Sequence, residues 1–230
     1  MGDMSLTNLA QGNFLTWHRY YTWIYEQALR DECGYKGYQP YINWGKYAKD
    51  LYNAPLFDGS DTSMSNNGAY DKRANGTWIP SPDNPVLRIP RGRGGGCVTE
   101  GPFKNMTVNL GPAGGVLPYV TPNPDPSGLG YNPRCLRRDS SAWASKHAST
   151  DDKSVDLITK NKRIANFQLV MQGRFNIGLP ELGVHTAGHF WVGGDPGGDF
   201  FASPGSVVLS IMDDHRLLLL TMRVKLTWTI

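Results

Sequence analysis

Apolar and aromatic positions first settle into a regular pattern between Asn13 and about Asp31. Phe14, His18, Tyr21, Tyr25 and Ala28 recur at steps of four and three, which puts them on one helical face and predicts that His18 points with the aromatic stripe into a core. Asn13 supplies a cap and Gly34 a stop. From Gly37 to roughly Ala148 no period persists. Tyr38-Gln39-Pro40-Tyr41 and Asn43-Trp44-Gly45 suggest an extended aromatic stretch, whereas Ser81-Pro82-Asp83-Asn84-Pro85 and Gly94-Gly95-Gly96 are turn chemistry. A loop region this long is expected to wrap around something.

Helical periodicity returns at Ser149-Thr150-Asp151-Asp152, a capping-box spacing with Asp in the place of Glu or Gln, and apolar positions from Val155 to Val170 carry it to Gly173. A short helix is predicted around Val184–Phe190, followed by Gly193-Gly194-Asp195-Pro196-Gly197-Gly198, which cannot be helical throughout. After Gly205 the texture changes again. Leu220, Met222, Val224, Leu226, Trp228 and Ile230 alternate with polar residues, a strand signal of period two.

Composition narrows the function classes. Hydrophobic residues at 40% and charged residues at 19% suit a folded domain, and 27 Gly with 16 Pro imply much loop. A net charge of +3 is too small and scattered for a nucleic-acid partner, so Arg137-Arg138 and Arg91/Arg93 read as solvated loop surface. No apolar run reaches the length of a membrane span, and the first residues show no signal-peptide pattern. Three cysteines, Cys33, Cys97 and Cys135, form no CxxC pair, so one needs a partner outside the chain or stays free. Asn75-Gly76-Thr77 and Asn105-Met106-Thr107 are sequons that would carry glycans in an exported chain.

The chemistry rests on histidine. His185 and His189 at i, i+4 put two imidazoles on one helical face, close enough to share a metal ion. Thr186 stands where a zinc protease needs its glutamate, which removes that reading. Such a pair serves packing as readily as coordination, and a metal would need further ligands. His18 alone fits a core histidine. His147 suits a surface or capping role, and His215 lies among charges where solvent is the default.

Larger motifs go further. Phe14-Leu15-Thr16-Trp17-His18-Arg19 resembles the F-L-x-W-H-R motif that ends the first copper site of the tyrosinase and catechol oxidase family. Tyr38-Gln39-Pro40-Tyr41-Ile42-Asn43-Trp44 is similar to that family's P-Y-W-[ND]-W, with Ile42 in place of Trp. His185-Thr186-Ala187-Gly188-His189-Phe190 and the loop through Ser203-Pro204-Gly205 resemble its second copper site, and the whole looks most like short secreted fungal enzymes.

The resemblance implies a mainly α fold: a four-helix-bundle dicopper core, incomplete here, wrapped by long loops with little β. It implies two copper ions, O2 and a phenolic substrate, with oxidation of o-diphenols, and in some relatives monophenols or o-aminophenols, to o-quinones. It maps His18, His185 and His189 onto copper ligands, and Glu181 onto an acidic residue that orients a water. Thr186, where monophenol-active relatives often carry Asn, tilts the expectation to catechol oxidase. Secretion is implied in the same way. On this reading residues 1–205 are a copper-binding-like domain truncated at its start, and 206–230 an atypical tail.

Two departures qualify these expectations. No histidine precedes His18, and Ser206-Val207-Val208-Leu209 stands where a further histidine-bearing helix is expected, with His215 as an out-of-register substitute. A shifted reading frame or a mis-joined exon after Gly205 would account for the second, and loss of a core wall predicts poor stability for the isolated chain. A catalytically inactive module of the same fold is therefore the alternative to an enzyme; an oxygen carrier is the third.

Overall fold

The computed structural model describes residues 14–38, 42–72, 76–80, 85–112, 120–175 and 180–197. The tail 206–230, His215 within it, and the Asn75 sequon residue lie outside them, as does the expected cap Asn13. Helix α1 runs Phe14–Cys33 and stops at Gly34, whose φ of +68° is a left-handed conformation that suits glycine. Its inward face is narrower than the spacing predicts. Phe14, Leu15 and Thr22 are buried, while Tyr21 is 36% exposed and Trp17, Tyr20 and Trp23 are more than half exposed. The reason lies in packing: α1 joins an apolar cluster through its first turn, where Phe14 and Leu15 meet residues of three later helices.

Those helices are α4 (Asp151–Lys160), α5 (Ile164–Gln172) and α6 (Val184–Val192), which contribute Leu157, Phe167, Met171 and Val184 to that cluster. The expected single run from Ser149 to Gly173 is thus two helices. Thr150, rather than Ser149, is the cap of α4, its hydroxyl accepting from Lys153 N at 3.3 Å. Asn161 ends α4 by turning extended, and its side-chain amide donates to Leu157 O at 3.0 Å, satisfying one of the terminal carbonyls.

Two further helices lie in the stretch read as irregular. Asn43 caps α2 (Trp44–Tyr47) through Lys46 N, so Trp44 enters a helical turn rather than an extended segment. Ser141 caps α3 (Ala142–Ala148) through Ala144 N, and α3 packs along α6. Trp44, Leu51, Ala54 and Phe57 form a second cluster with Trp191 and Val192 of α6. The Trp191 indole N–H donates to Ser145 Oγ (3.0 Å), which donates in turn to Ala48 O (3.1 Å), so α6 and α3 are tied to the α2 segment by a buried polar relay.

Strands are few and short. β1 (Thr77–Pro80) pairs antiparallel with β2 (Pro85–Ile89), β3 (Thr107–Val108) with β4 (Arg134–Cys135), and β5 (Gly173–Arg174) with β6 (Glu181–Leu182). A disulfide joins Cys97 to Cys135, leaving Cys33 free and exposed. The regular structure is therefore mainly helical with little β, as the resemblance implied.

Of the arginines in the two basic pairs, Arg138 departs from solvated loop surface, while Arg93 is exposed as expected. Arg138 is fully buried: its Nη1 donates to Met64 O (2.8 Å), Ser65 O (3.3 Å) and Asn66 O (2.8 Å), and its guanidinium lies 4.6 Å over the Phe57 ring. Carbonyls and an aromatic face replace water around the charge. Asp139 beside it accepts from Gly92 N (2.9 Å) and Gly94 N (3.0 Å). Arg91 and Arg93 lie over the rings of Tyr70 and Tyr52. The long loops are thereby anchored to the helical core from within.

Candidate metal centre

Three of the five histidines converge where the first turn of α1 meets α6. His185 and His189 stand one turn apart on α6 with ring centroids 4.8 Å apart. Phe14 sits between the two helices, its ring 4.1 Å from that of His18 and 5.1 Å from that of His185. Trp17 closes the outer side of His18 at 4.8 Å. The i, i+4 spacing that the sequence shows thus becomes a histidine face, and α1 brings His18 to it across one phenyl ring.

The helix ends explain why α6 can hold this position. Gly193, at φ +64°, ends it in a left-handed cap that accommodates glycine without strain. Gly188 lies against Trp44, and a Cβ there would overlap the indole, so the small residue between the two histidines lets the second apolar cluster close on the back of the helix.

The protonation state of each ring follows from its partners. His18 Nδ1 lies 2.7 Å from Phe14 O and His185 Nδ1 lies 2.6 Å from Gln172 Oε1. The Phe14 carbonyl can only accept, so His18 Nδ1 carries the hydrogen and donates, and Gln172 presents its amide oxygen to the Nδ1 of His185. Burial lowers the pKa of His18, opposed in part by its bond to Phe14 O. Burial, and then the charge of His18, push His189 down to about 3. Burial thus favours the neutral form of His18 and of His189, the form in which a metal is bound. His147 shows that the backbone bond is not itself a mark of a site: its Nδ1 meets Trp143 O at 2.7 Å, yet it is exposed on α3, in the surface role expected of it.

A family model described as the common central domain of tyrosinase matches residues 8–206. The chain belongs to the tyrosinase family. It is 40% identical over 193 residues to a protein named tyrosinase P from Aspergillus terreus, covering 84% of this chain and 53% of that one. It is 38% identical over 206 residues to an N-acetyl-6-hydroxytryptophan oxidase from Emericella nidulans, covering 86% and 54%. A solved polyphenol oxidase variant from Thermothelomyces thermophila superimposes with a TM-score of 0.73 at 39% identity, over 95% of this chain and 54% of that one. The chain thus spans about half the length of these relatives.

Family membership frames what the remaining candidates do. Glu181, expected to orient a water, is exposed on β6 and pairs with Lys153 of α4. The sequence marks a carboxylate four residues before His185, but the strand that carries it ends before α6 begins, so the helical spacing that would aim it at His185 is absent. Thr186 is buried, and its hydroxyl donates to Gln172 O at 2.5 Å.

Gln172 was not singled out by the sequence reading. A signal was there: Gln168 and Gln172, four apart on a helix whose other residues are apolar except Asn166, both fall on the buried side with Phe167 and Met171. Among the described residues no three histidine, cysteine or acidic side chains gather closely enough to hold one ion. The donor set, imidazole nitrogens, fits copper in its chemistry; in number it is partial.

Proposed function

We propose that this chain is a type 3 copper domain that oxidises phenols with O2, with His18 contributing to one copper position and His185 and His189 to the other. The observation that carries this reading is the convergence of three imidazoles at the α1–α6 junction, with the Nδ1 atoms of His18 and His185 bonded to Phe14 O and Gln172 Oε1. Copper, when bound, would supply the redox chemistry that couples an o-diphenol to O2. The chain's own part is to hold the rings neutral, to keep them apart across Phe14 and to seal their backs with Trp44 and Trp191. The o-diphenol preference is supported by Thr186, which stands where monophenol-active relatives often carry Asn and whose buried hydroxyl donates to Gln172 O. Relatives named as oxidases of hydroxylated aromatics agree with the class of substrate.

A second reading follows from one observation. The sequence holds five histidines and the described residues bring three together without closing a cage, so an inactive module of this fold, retaining the loops, is the competitor. Copper content and O2 uptake with catechol separate the two. Copper-dependent uptake by purified protein, lost in His185→Ala and in His189→Ala, is the expected result. Absence of both bound copper and uptake would select the inactive module.

We also propose that the protein is exported. The Cys97–Cys135 disulfide belongs to oxidising compartments, and Asn105 of the second sequon is exposed on the turn before β3. Expression in a secretory host, with a mass loss on N-glycosidase treatment that Asn105→Gln abolishes, is the expected outcome. A secreted protein unmodified at Asn105 would remove that support.

A further inference from the structure

We propose that Gln172 is the positioning residue for His185, fixing its tautomer so that Nε2 is the nitrogen offered to a copper ion. The proposal rests on the copper reading above for its purpose, but not for its geometry.

His18 and His185 reach the same tautomer by different means. His18 lies in the interior of α1, so the carbonyl four residues earlier, Phe14 O, is aligned along the helix to take its Nδ1–H at 2.7 Å. His185 is the second residue of α6, and four residues earlier the chain is Glu181 in β6, not a helical turn. No carbonyl of its own helix is in place. The acceptor has to come from another element, and α5 provides it at its last residue, Gln172, through Oε1 at 2.6 Å.

The backbone around Gln172 is built for that reach. β5 begins directly after it and β6 ends just before α6, with Gly173 paired to Leu182 and Arg174 to Glu181, so the ladder fixes the end of α5 against the start of α6. Thr186 adds a second tether, its hydroxyl donating to Gln172 O. Gly183 completes the approach, because a Cβ there would run into the Met171 carbonyl. Consecutive residues of α6 are thus bound to the side chain and to the backbone of one glutamine. Both Gln172 and His185 are buried, so water does not compete for the ring N–H. An amide oxygen accepts this proton without adding a charge beside the metal position, which a glutamate would do.

The test is nitrogen-detected NMR of the imidazoles in metal-free full chain at neutral pH, with His185→Gln to assign the signal. The expected wild-type state is His185 protonated at Nδ1. In Gln172→Leu the Nε2–H form should appear, and copper(II) titration should show roughly 10- to 100-fold weaker binding. Gln172→Glu, which keeps an acceptor, should retain the Nδ1–H form. A wild-type His185 protonated at Nε2 overturns the proposal without any variant, as does an unchanged tautomer in folded Gln172→Leu. Should that variant not fold, the wild type and Gln172→Glu still decide. Failure of the wild type to bind copper would sink the functional reading instead, and leaves the tautomer result standing on its own.

Discussion

His189 sets the acid limit of the metal-free protein. Its pKa lies near 3 in the fold against 6.5 unperturbed, first because burial penalises the imidazolium and then because His18 repels it. The unfolded chain therefore takes up this proton first, and stability falls as pH drops from about 6.5 toward 3, by up to ~1.4 kcal/mol per pH unit for this group. Thermal unfolding of metal-free protein between pH 7 and 4 should show that fall, and His189→Gln should flatten it; a slope that ignores the substitution would contradict the assignment. Arg138 makes the complementary case of a charge kept inside. Desolvation lowers its pKa to about 10, so it remains a cation at neutral pH, held by three carbonyls. Arg138→Met removes the donor and leaves those carbonyls buried, with an expected loss on the order of 3 kcal/mol in urea unfolding. Neither its burial nor its role was legible in the sequence, because adjacent arginines beside an aspartate read alike on a surface and in an anchor; only the folding of residues 64–66 over Phe57 distinguishes them.

Among the elements, α6 carries most of the site and was the most legible. Its periodicity, its two histidines and the glycine at its end are local features, and the observed helix Val184–Val192 follows them closely. Its packing was not local. Gly188→Ala would place a methyl inside the Trp44 indole, and either the helix or the ring must shift. The expected cost is about 1–3 kcal/mol, with weaker copper binding if the shift turns the histidine face. Equilibrium denaturation together with copper titration would read both, and an unaffected variant would show that the two elements are less closely packed than described. Helices α2 and α3 escaped the sequence reading because each is too short to show a period. What makes them helical is a capping side chain, Asn43 and Ser141, and the buried contacts of Trp44, Ala144 and Ser145.

At the scale of the molecule, the long loops among the described residues have to be held by cross-links. The Cys97–Cys135 disulfide closes a sequence separation of 38 residues, and the chain-entropy view assigns such a loop about 4 kcal/mol. Replacing both cysteines by serine should lower the thermal midpoint markedly while leaving the α1–α6 histidine face intact, a split that NMR of the imidazoles would show; loss of the histidine signals would mean that the loops and the site fold as one unit. Helix α1 exposes an aromatic side with Trp17, Tyr20 and Trp23. The sequence by itself determined the two histidine-bearing helices, the family and the scarcity of β structure, because these reside in periodicity, caps and motifs a few residues long. Only the tertiary structure decided that Phe14 separates the histidines of two helices, that Arg138 lies inside, that Glu181 pairs with Lys153 and that Gln172 meets His185. Each of those depends on residues distant in sequence meeting in a place from which water is excluded, and spacing along a chain carries no record of which distant partner will be there.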